Sequence, residues 1–230
     1  MIWWDPNAEV AEGKKGKWVG GDVPDFRVDL APDAKGGGNP FIMRVDGKGG
    51  FFAALNEGPF PEHYEPVESP AKNLLSKVQY NPLAVIWTSE MDKLGRPEEF
   101  PIVATTYRLT EHLHTGSITR NLPWLVELMP NLFCEMSREL AEEKGIKSVD
   151  PVTIVSARGQ VKAIVLVTER FRPFSLDGRK VHQIGIPWHW GFMGLATGDS
   201  ANVLTPHVGD ANTRIQESKA FLCDVRKAVV

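Results

Sequence analysis

Proline and glycine divide this chain into two unlike halves. Twelve of its 21 glycines and ten of its 17 prolines lie in the first 100 residues. Proline removes a backbone donor and biases the residue before it to extended conformations, so "GPFPEHYEPVESP" (58–70) is excluded from helix and central strand. "DAKGGGNP" (33–40) and "GKGG" (47–50) read as loops. Yet Trp3, Trp4, Trp18, Phe51, Phe52, Phe60, Tyr64 and Trp87 share this half. Disordered chains are poor in such rings. Residues 1–99 are therefore expected to be an irregular, aromatic-anchored segment that wraps over another surface.

From about Phe100 the pattern becomes regular. "FPIVATTYRLT" is strand-like, and "PVTIVSARGQVKAIVLVTER" alternates at period two around a short turn at Ala157–Gln160. That predicts a hairpin of Val152–Ser156 and Val161–Thr168. "LDGRKVHQIGI" supplies a further turn and strand, and "FLCDVRKAV" a closing strand with Phe221, Cys223 and Val225 on one face. "NLFCEMSRELAEEKGI" is expected to be a helix, because Leu132, Met136 and Leu140 recur every four residues and Gly145 ends it. One helix among five or six strands makes residues 100–230 a mainly β, barrel-like α+β domain.

Several classes of function are disfavoured at once. The formal net charge is −3, with 26 Lys+Arg against 29 Asp+Glu and no block of like charge, so no nucleic-acid partner is expected. No apolar run reaches the length of a membrane span. "MIWWDPNAEV" lacks the basic and apolar regions of an export signal. Cys134 and Cys223 are far apart and outside any CxxC spacing, so they are not cluster or zinc ligands; they read as two half-buried free thiols, with a disulfide between them as the alternative. No GxGxxG, Walker A, GxSxG or HExxH pattern occurs.

Three stretches carry ligand-binding chemistry. In "YRLTEHLHTGSITR" (107–120), an extended backbone would put His112 and His114 on one face. Gly116 suits a backbone that must approach a ligand and offer N–H donors, and Arg108 and Arg120 bracket the run as anion partners; the alternative is a polar strand end with two satisfied histidines. "VHQIGIPWHWGFMG" (181–194) could present Trp188, His189 and Trp190 as flat walls, or bury alternate rings with His189 bonded beneath them. "SANVLTPHVGDANTRIQESK" (200–219) is a turn-rich loop whose Asn202, Asp210 and Asn212 can bond a polar ligand edge or serve Asx turns. A metal site would need His182 or His189 beside His112 and His114, and no spacing demands it.

"TTYRLTEHLHTGSITR", "GIPWHWGF", "ANVLTPHVGDAN" and "ESKAFLCDV" stand in the order found in molybdenum/tungsten oxidoreductases with bis-pyranopterin guanine dinucleotide cofactors. The chain resembles the C-terminal part of the catalytic subunit of the formate dehydrogenases in that family. "KWVGGDVPDFRVD" and "GPFPEHYEPVESP" are similar to the segment preceding the last domain there. The resemblance implies a double-psi β-barrel that binds molybdopterin dinucleotide. It implies oxidation of formate to CO2 at a Mo or W bis-MGD centre held jointly with the rest of the subunit. Iron–sulfur clusters would lie only in partner regions. The implied partners are the N-terminal remainder of the catalytic subunit and an iron–sulfur electron-transfer subunit, in a periplasmic or membrane-associated assembly. The same barrel in a nitrate reductase, or in an assembly module without catalysis, are the alternatives.

Site residues carry over where motifs match. Thr106, Tyr107, Arg108, Leu109, Thr110, Glu111, His112, Leu113, His114 and Thr115 correspond to the run along the pterin and pyrophosphate. Trp188 or His189 matches an aromatic wall position, Asn202 a polar pterin contact, and Lys219 a late basic contact. The metal-ligating and cluster-ligating segments of the family have no counterpart in these residues, so no catalytic residue and no metal ligand is expected here. Tyr107 stands where the family usually has glycine, and "RIQESK" departs from its usual sequence before the lysine.

Overall fold

The computed structural model describes residues 2–20, 56–57 and 62–228. The chain divides into two compact units, Met1–Leu55 and Asn56–Val230. The loops expected at 33–40 and 47–50, and the anchors Phe51, Phe52 and Phe60, lie outside the described residues.

In the first unit, β1 (Ile2–Ala11) and β2 (Lys14–Gly20) form an antiparallel hairpin. This corrects the expectation of an irregular opening. Gly13, in the two-residue turn between the strands, takes φ 71°, a left-handed conformation that glycine adopts without steric cost, and one such glycine favours pairing instead of opposing it.

The second unit is built on a closed six-stranded barrel. Its strands are β4 (Ile102–Tyr107), β5 (Phe133–Ser137), β6 (Pro151–Val155), β7 (Gln160–Thr168), β10 (Gln183–Pro187) and β12 (Phe221–Lys227). Around the barrel they follow the order β10-β4-β12-β6-β7-β5. Pairings β10/β4 and β5/β7 are parallel and the other four antiparallel. Alternation fills the interior: Ile102 and Ala104, Cys134 and Met136, Val152 and Ile154, Val161, Ala163 and Val165, Ile184 and Ile186, and Phe221, Cys223 and Val225 form one buried cluster. Six strands enclose only enough room for side chains, so these residues pack a core rather than line a lumen.

Two smaller pairs complete the unit. They are β3 (Val85–Ile86) with β11 (Val208–Gly209), and β8 (Phe174–Leu176) with β9 (Arg179–Val181). Helix α1 spans Pro123–Leu128 and α2 Arg138–Lys144. Regular barrel strands thus begin at residue 102, whereas the compact unit begins earlier, at Asn56.

The helix expected across 131–146 is half strand. Phe133–Ser137 is β5, and only Arg138–Lys144 is helical. Cys134 and Met136 enter the barrel at period two, and the ring of strands cannot close without a strand between β7 and β10. Ser137 ends the strand and caps the helix, its Oγ accepting the Leu140 N–H at 3.1 Å. Gly145, at φ 64°, terminates it.

Cys134 and Cys223 are both free and fully buried in the barrel, rather than half-buried. Burial pushes both thiols well above their ordinary range. Neither should react with an aromatic disulfide reagent in the native protein, and both should react once denaturant opens the barrel. A fast-reacting thiol without denaturant would contradict this packing.

Candidate functional site

Topology gathers the three ligand-like stretches at one end of the barrel. Because β10 and β4 are parallel, with Pro187 opposite Tyr107, Arg108 and Trp188 emerge side by side. β12 runs antiparallel to β4 with Phe221 opposite Ala104, so Lys219 enters at the same end. Lys219 Nζ donates to the carbonyl of Thr106 at 2.5 Å. β7 starts at this end too, and the 3-10 turn Ala201–Val203, which carries Asn202, packs against it.

Two cations face this end. The Arg108 guanidinium lies 3.9 Å over the Trp188 ring. Lys219 is held below the usual lysine range by partial burial and then by the Arg108 charge. Trp188 Nε1 is buried with no partner among the described residues. A desolvated N–H without an acceptor is uncommon in a finished core, so this one is available to an acceptor that the described residues do not supply.

The run after Arg108 is not extended. His112 is buried, its Nε2 on the Met129 carbonyl at 3.0 Å and its Nδ1 on Thr119 Oγ1 at 3.1 Å. His114 is exposed at φ 49°, so the two histidines do not share a face. Leu113 N–H reaches Thr119 Oγ1 at 3.2 Å and Gly116 N–H the Leu113 carbonyl at 2.8 Å, which fold the stretch into consecutive turns. Among the described residues none accepts from the N–H groups of Thr110, Glu111, His114 or Thr115. Amides left open in this way are donors that a ligand or water can take up.

Arg120 is not an anion partner. It is buried, and it donates to the carbonyls of His189 (3.0 Å), Gly191 (3.2 Å), Ala196 (2.8 Å) and Met193. Its five-donor fork matches a loop of inward-facing carbonyls, which a lysine could not satisfy. Gly191 and Gly194 pack directly against this side chain, and Gly194 takes φ 115°. The sequence shows both glycines but offers no sign that an arginine 70 residues away is what they enclose.

The ring triplet divides by role. Trp190 and His189 are buried and Trp188 half-buried, so of the three only Trp188 presents its face at the rim. His189 accepts the Leu109 N–H on Nε2 at 2.7 Å and holds the His114 carbonyl with Nδ1, leaving no ring nitrogen for a ligand. Tyr107 turns away from this end. Its hydroxyl donates to Glu135 Oε2 at 2.8 Å, and its ring covers Gly185 with Phe171. Burial first, then the Glu135 bond, raises its phenol far above the usual range. Thr106 bonds the Ser218 carbonyl (2.8 Å), Leu109 packs on the core, and Thr110, Leu113, Thr115 and Asn202 are exposed. Glu111 is half-buried.

No helix among the described residues is long and apolar enough to cross a membrane. The chain is 44% identical, over 98% of its length, to the nitrate-inducible formate dehydrogenase major subunit of Escherichia coli, and covers 22% of that subunit. It is 46% identical over 92% of its length to the formate dehydrogenase alpha subunit of Megalodesulfovibrio gigas, covering 21% of it. It is 47% identical over 98% to the alpha subunit of formate dehydrogenase 2 (cytochrome c-553) of Nitratidesulfovibrio vulgaris, covering 22%. The chain thus spans about a fifth of the length of these relatives. Residues 102–222, from the first strand of the barrel to the start of the last, match the family described as molydopterin dinucleotide binding domain, and the chain belongs to that family.

Proposed function

We propose that this chain clasps a bis-molybdopterin guanine dinucleotide with Mo or W, as the C-terminal portion of a formate dehydrogenase catalytic subunit. The observation that supports this most directly is the orphaned Trp188 N–H, which sits under the Arg108 cation at the barrel end where all the motif stretches meet. Arg108 and Lys219 suit a pyrophosphate, and the free amides of Thr110, Glu111, His114 and Thr115 suit phosphate or pterin oxygens. Asn202, exposed on its turn, is assigned a polar contact to the pterin. His112 and His189 act from beneath, by holding backbone. Thr106 and Tyr107 contribute through main chain only, and Leu109 and Leu113 flank the turn. Two parallel pairs among the six strands suit the double-psi arrangement.

When bound, the cofactor supplies the metal and the two-electron chemistry that takes formate to CO2. This chain's share is to bind and orient it and to exclude water from one side. The iron–sulfur clusters and metal-ligating residues belong, in this reading, to the rest of the subunit and to an electron-transfer partner in a periplasmic or membrane-associated assembly. In this reading residues 100–230 are the binding domain and residues 1–99 the segment that precedes it.

The test is cofactor retention. Purified with its associated chains, the wild-type protein is expected to yield Mo or W and the fluorescence of oxidised pterin, and to oxidise formate. Trp188→Phe keeps the ring and removes the N–H, and should weaken retention roughly tenfold, by about 1–2 kcal/mol. Arg108→Ala should weaken it further. A purified assembly with no pterin would overturn the reading.

A further inference from the structure

His189 occupies a position that its ligand-facing neighbours do not. Its ring is fully buried, and its two nitrogens hold the main chain at both ends of one turn. Nε2 takes the Leu109 N–H at 2.7 Å, so it carries a lone pair. Nδ1 meets the His114 carbonyl, which can only accept, so it carries the proton. The partners themselves thereby fix one neutral tautomer. The residue's own carbonyl is gripped by Arg120 Nε at 3.0 Å, which anchors the ring's backbone from a second direction. Between Leu109 and His114 lie the free amides of Thr110 and Glu111.

We propose that His189 is a positioning residue whose neutral, Nδ1-protonated ring seats the Leu109–His114 turn, and that protonation at Nε2 unseats it. The inference about the turn rests on geometry alone, and only its relevance to a bound cofactor rests on the function proposed above. A second proton would set an Nε2–H against the Leu109 N–H, donor against donor, and the 2.7 Å bond would break. The surroundings oppose that proton: burial foremost, then the His112 and Arg108 charges, against the His114 carbonyl and Glu111, which favour it. Arg120 adds a further cation at the His189 carbonyl.

The sign follows. With the seated ring below the ordinary histidine range, seating is fully favoured above about pH 6.5 and weakens as pH falls, by up to tenfold per unit. The weakening levels off once the seated ring itself protonates. His112 behaves differently under acid. Its Nε2–H already donates to Met129, and a proton on Nδ1 can donate to Thr119 Oγ1 once that hydroxyl rotates, so both bonds survive. His114 is exposed, and its ring makes no hydrogen bond among the described residues.

Amide hydrogen exchange by mass spectrometry tests this on the purified assembly, read between about pH 5 and 8 where a histidine titrates and corrected for intrinsic rates. Peptides covering 108–116 report the turn, and peptides from β6 and β7 serve as control. In the wild type, protection of 108–116 should fall up to tenfold per unit below about pH 6.5, with the control unchanged. His189→Gln places a non-titrating acceptor near the Nε2 position, so the pH step should vanish while most protection at neutral pH remains. His189→Phe should cost roughly tenfold or more in protection of 108–116 at every pH. The proposal fails if the step persists in His189→Gln, if His189→Phe leaves 108–116 protected, or if turn and control lose protection together. A pterin-free protein that still shows the step would sink the proposed function and spare this inference. A pterin-loaded protein without the step would do the reverse.

Discussion

Glu68→Ala is expected to destabilise the barrel unit by about 3–5 kcal/mol, the range for breaking a buried ion pair from one side. The Glu68 side chain is 0% exposed and that of Arg158 3%. Glu68 accepts from the Gly95 and Leu222 N–H groups and from both terminal nitrogens of Arg158, one at 3.0 Å. Arg158 also reaches the carbonyls of Leu204 (2.6 Å) and Lys93 (2.6 Å). One carboxylate thus ties the proline-rich stretch to the start of β12, and its arginine ties the β6–β7 turn to the loop that carries Asn202. Removing the carboxylate leaves a desolvated guanidinium with carbonyls only and two amides with no acceptor. Guanidinium unfolding followed by far-UV circular dichroism measures the loss. Glu68→Gln, which keeps an acceptor oxygen, should fall between wild type and alanine. Replacing both partners with apolar residues should cost less than the two single changes summed. A loss under about 1 kcal/mol for Glu68→Ala would mean that the pair is solvated in solution.

Such a clasp leaves no periodic trace in a sequence. Glu68 sits in "PVESP", between two prolines and beside a serine, and reads as an exposed loop acid. Its partner lies 90 positions on, in a hairpin turn. What period two could reveal, it did: the β6–β7 hairpin and the inward face of β12 fall within a residue or so of where alternation puts them. The 131–146 stretch misleads because Leu132, Met136 and Leu140 satisfy a helical period by coincidence. Met136 is buried by barrel closure and Leu140 by the helix that follows, two separate packing events on one run.

The site shows the same division. Which stretches meet was legible, because resemblance set their order and strand alternation set the barrel. Which side chain does what was not. His112, Arg120 and His189 have the composition of a ligand set, yet each is bonded to the chain's own main-chain carbonyls or amides. Inward backbone carbonyls carry no residue identity, so a sequence cannot announce them. Arg108 and Trp188, by contrast, meet each other at the barrel end, and Asn202 is exposed on its turn.

Gly116→Ala should be the most damaging single change within the site itself. Gly116 sits at φ 75°, where a Cβ costs about 1–2 kcal/mol on backbone grounds alone. A Cβ built there would also overlap the His189 carbonyl oxygen and lie 3.0 Å from Arg120 Nε. Neither neighbour can give way, since the oxygen belongs to main chain that Arg120 grips and that guanidinium is fixed by four carbonyls. The turns of 109–120 and the loop 189–196 must therefore separate. A combined loss on the order of 3 kcal/mol is expected, confined to this barrel end. Exchange protection of residues 108–120 and 189–198 should fall together by about a hundredfold, as such a loss implies, while β6 and β7 stay protected. Pterin content should fall with them. The glycine that reads as an approach to a ligand is needed for an approach to the chain's own His189, and the amides proposed to meet the cofactor are shaped one layer out. If Gly116→Ala leaves both segments protected but strips the pterin, Gly116 itself borders the cofactor and that layering is wrong.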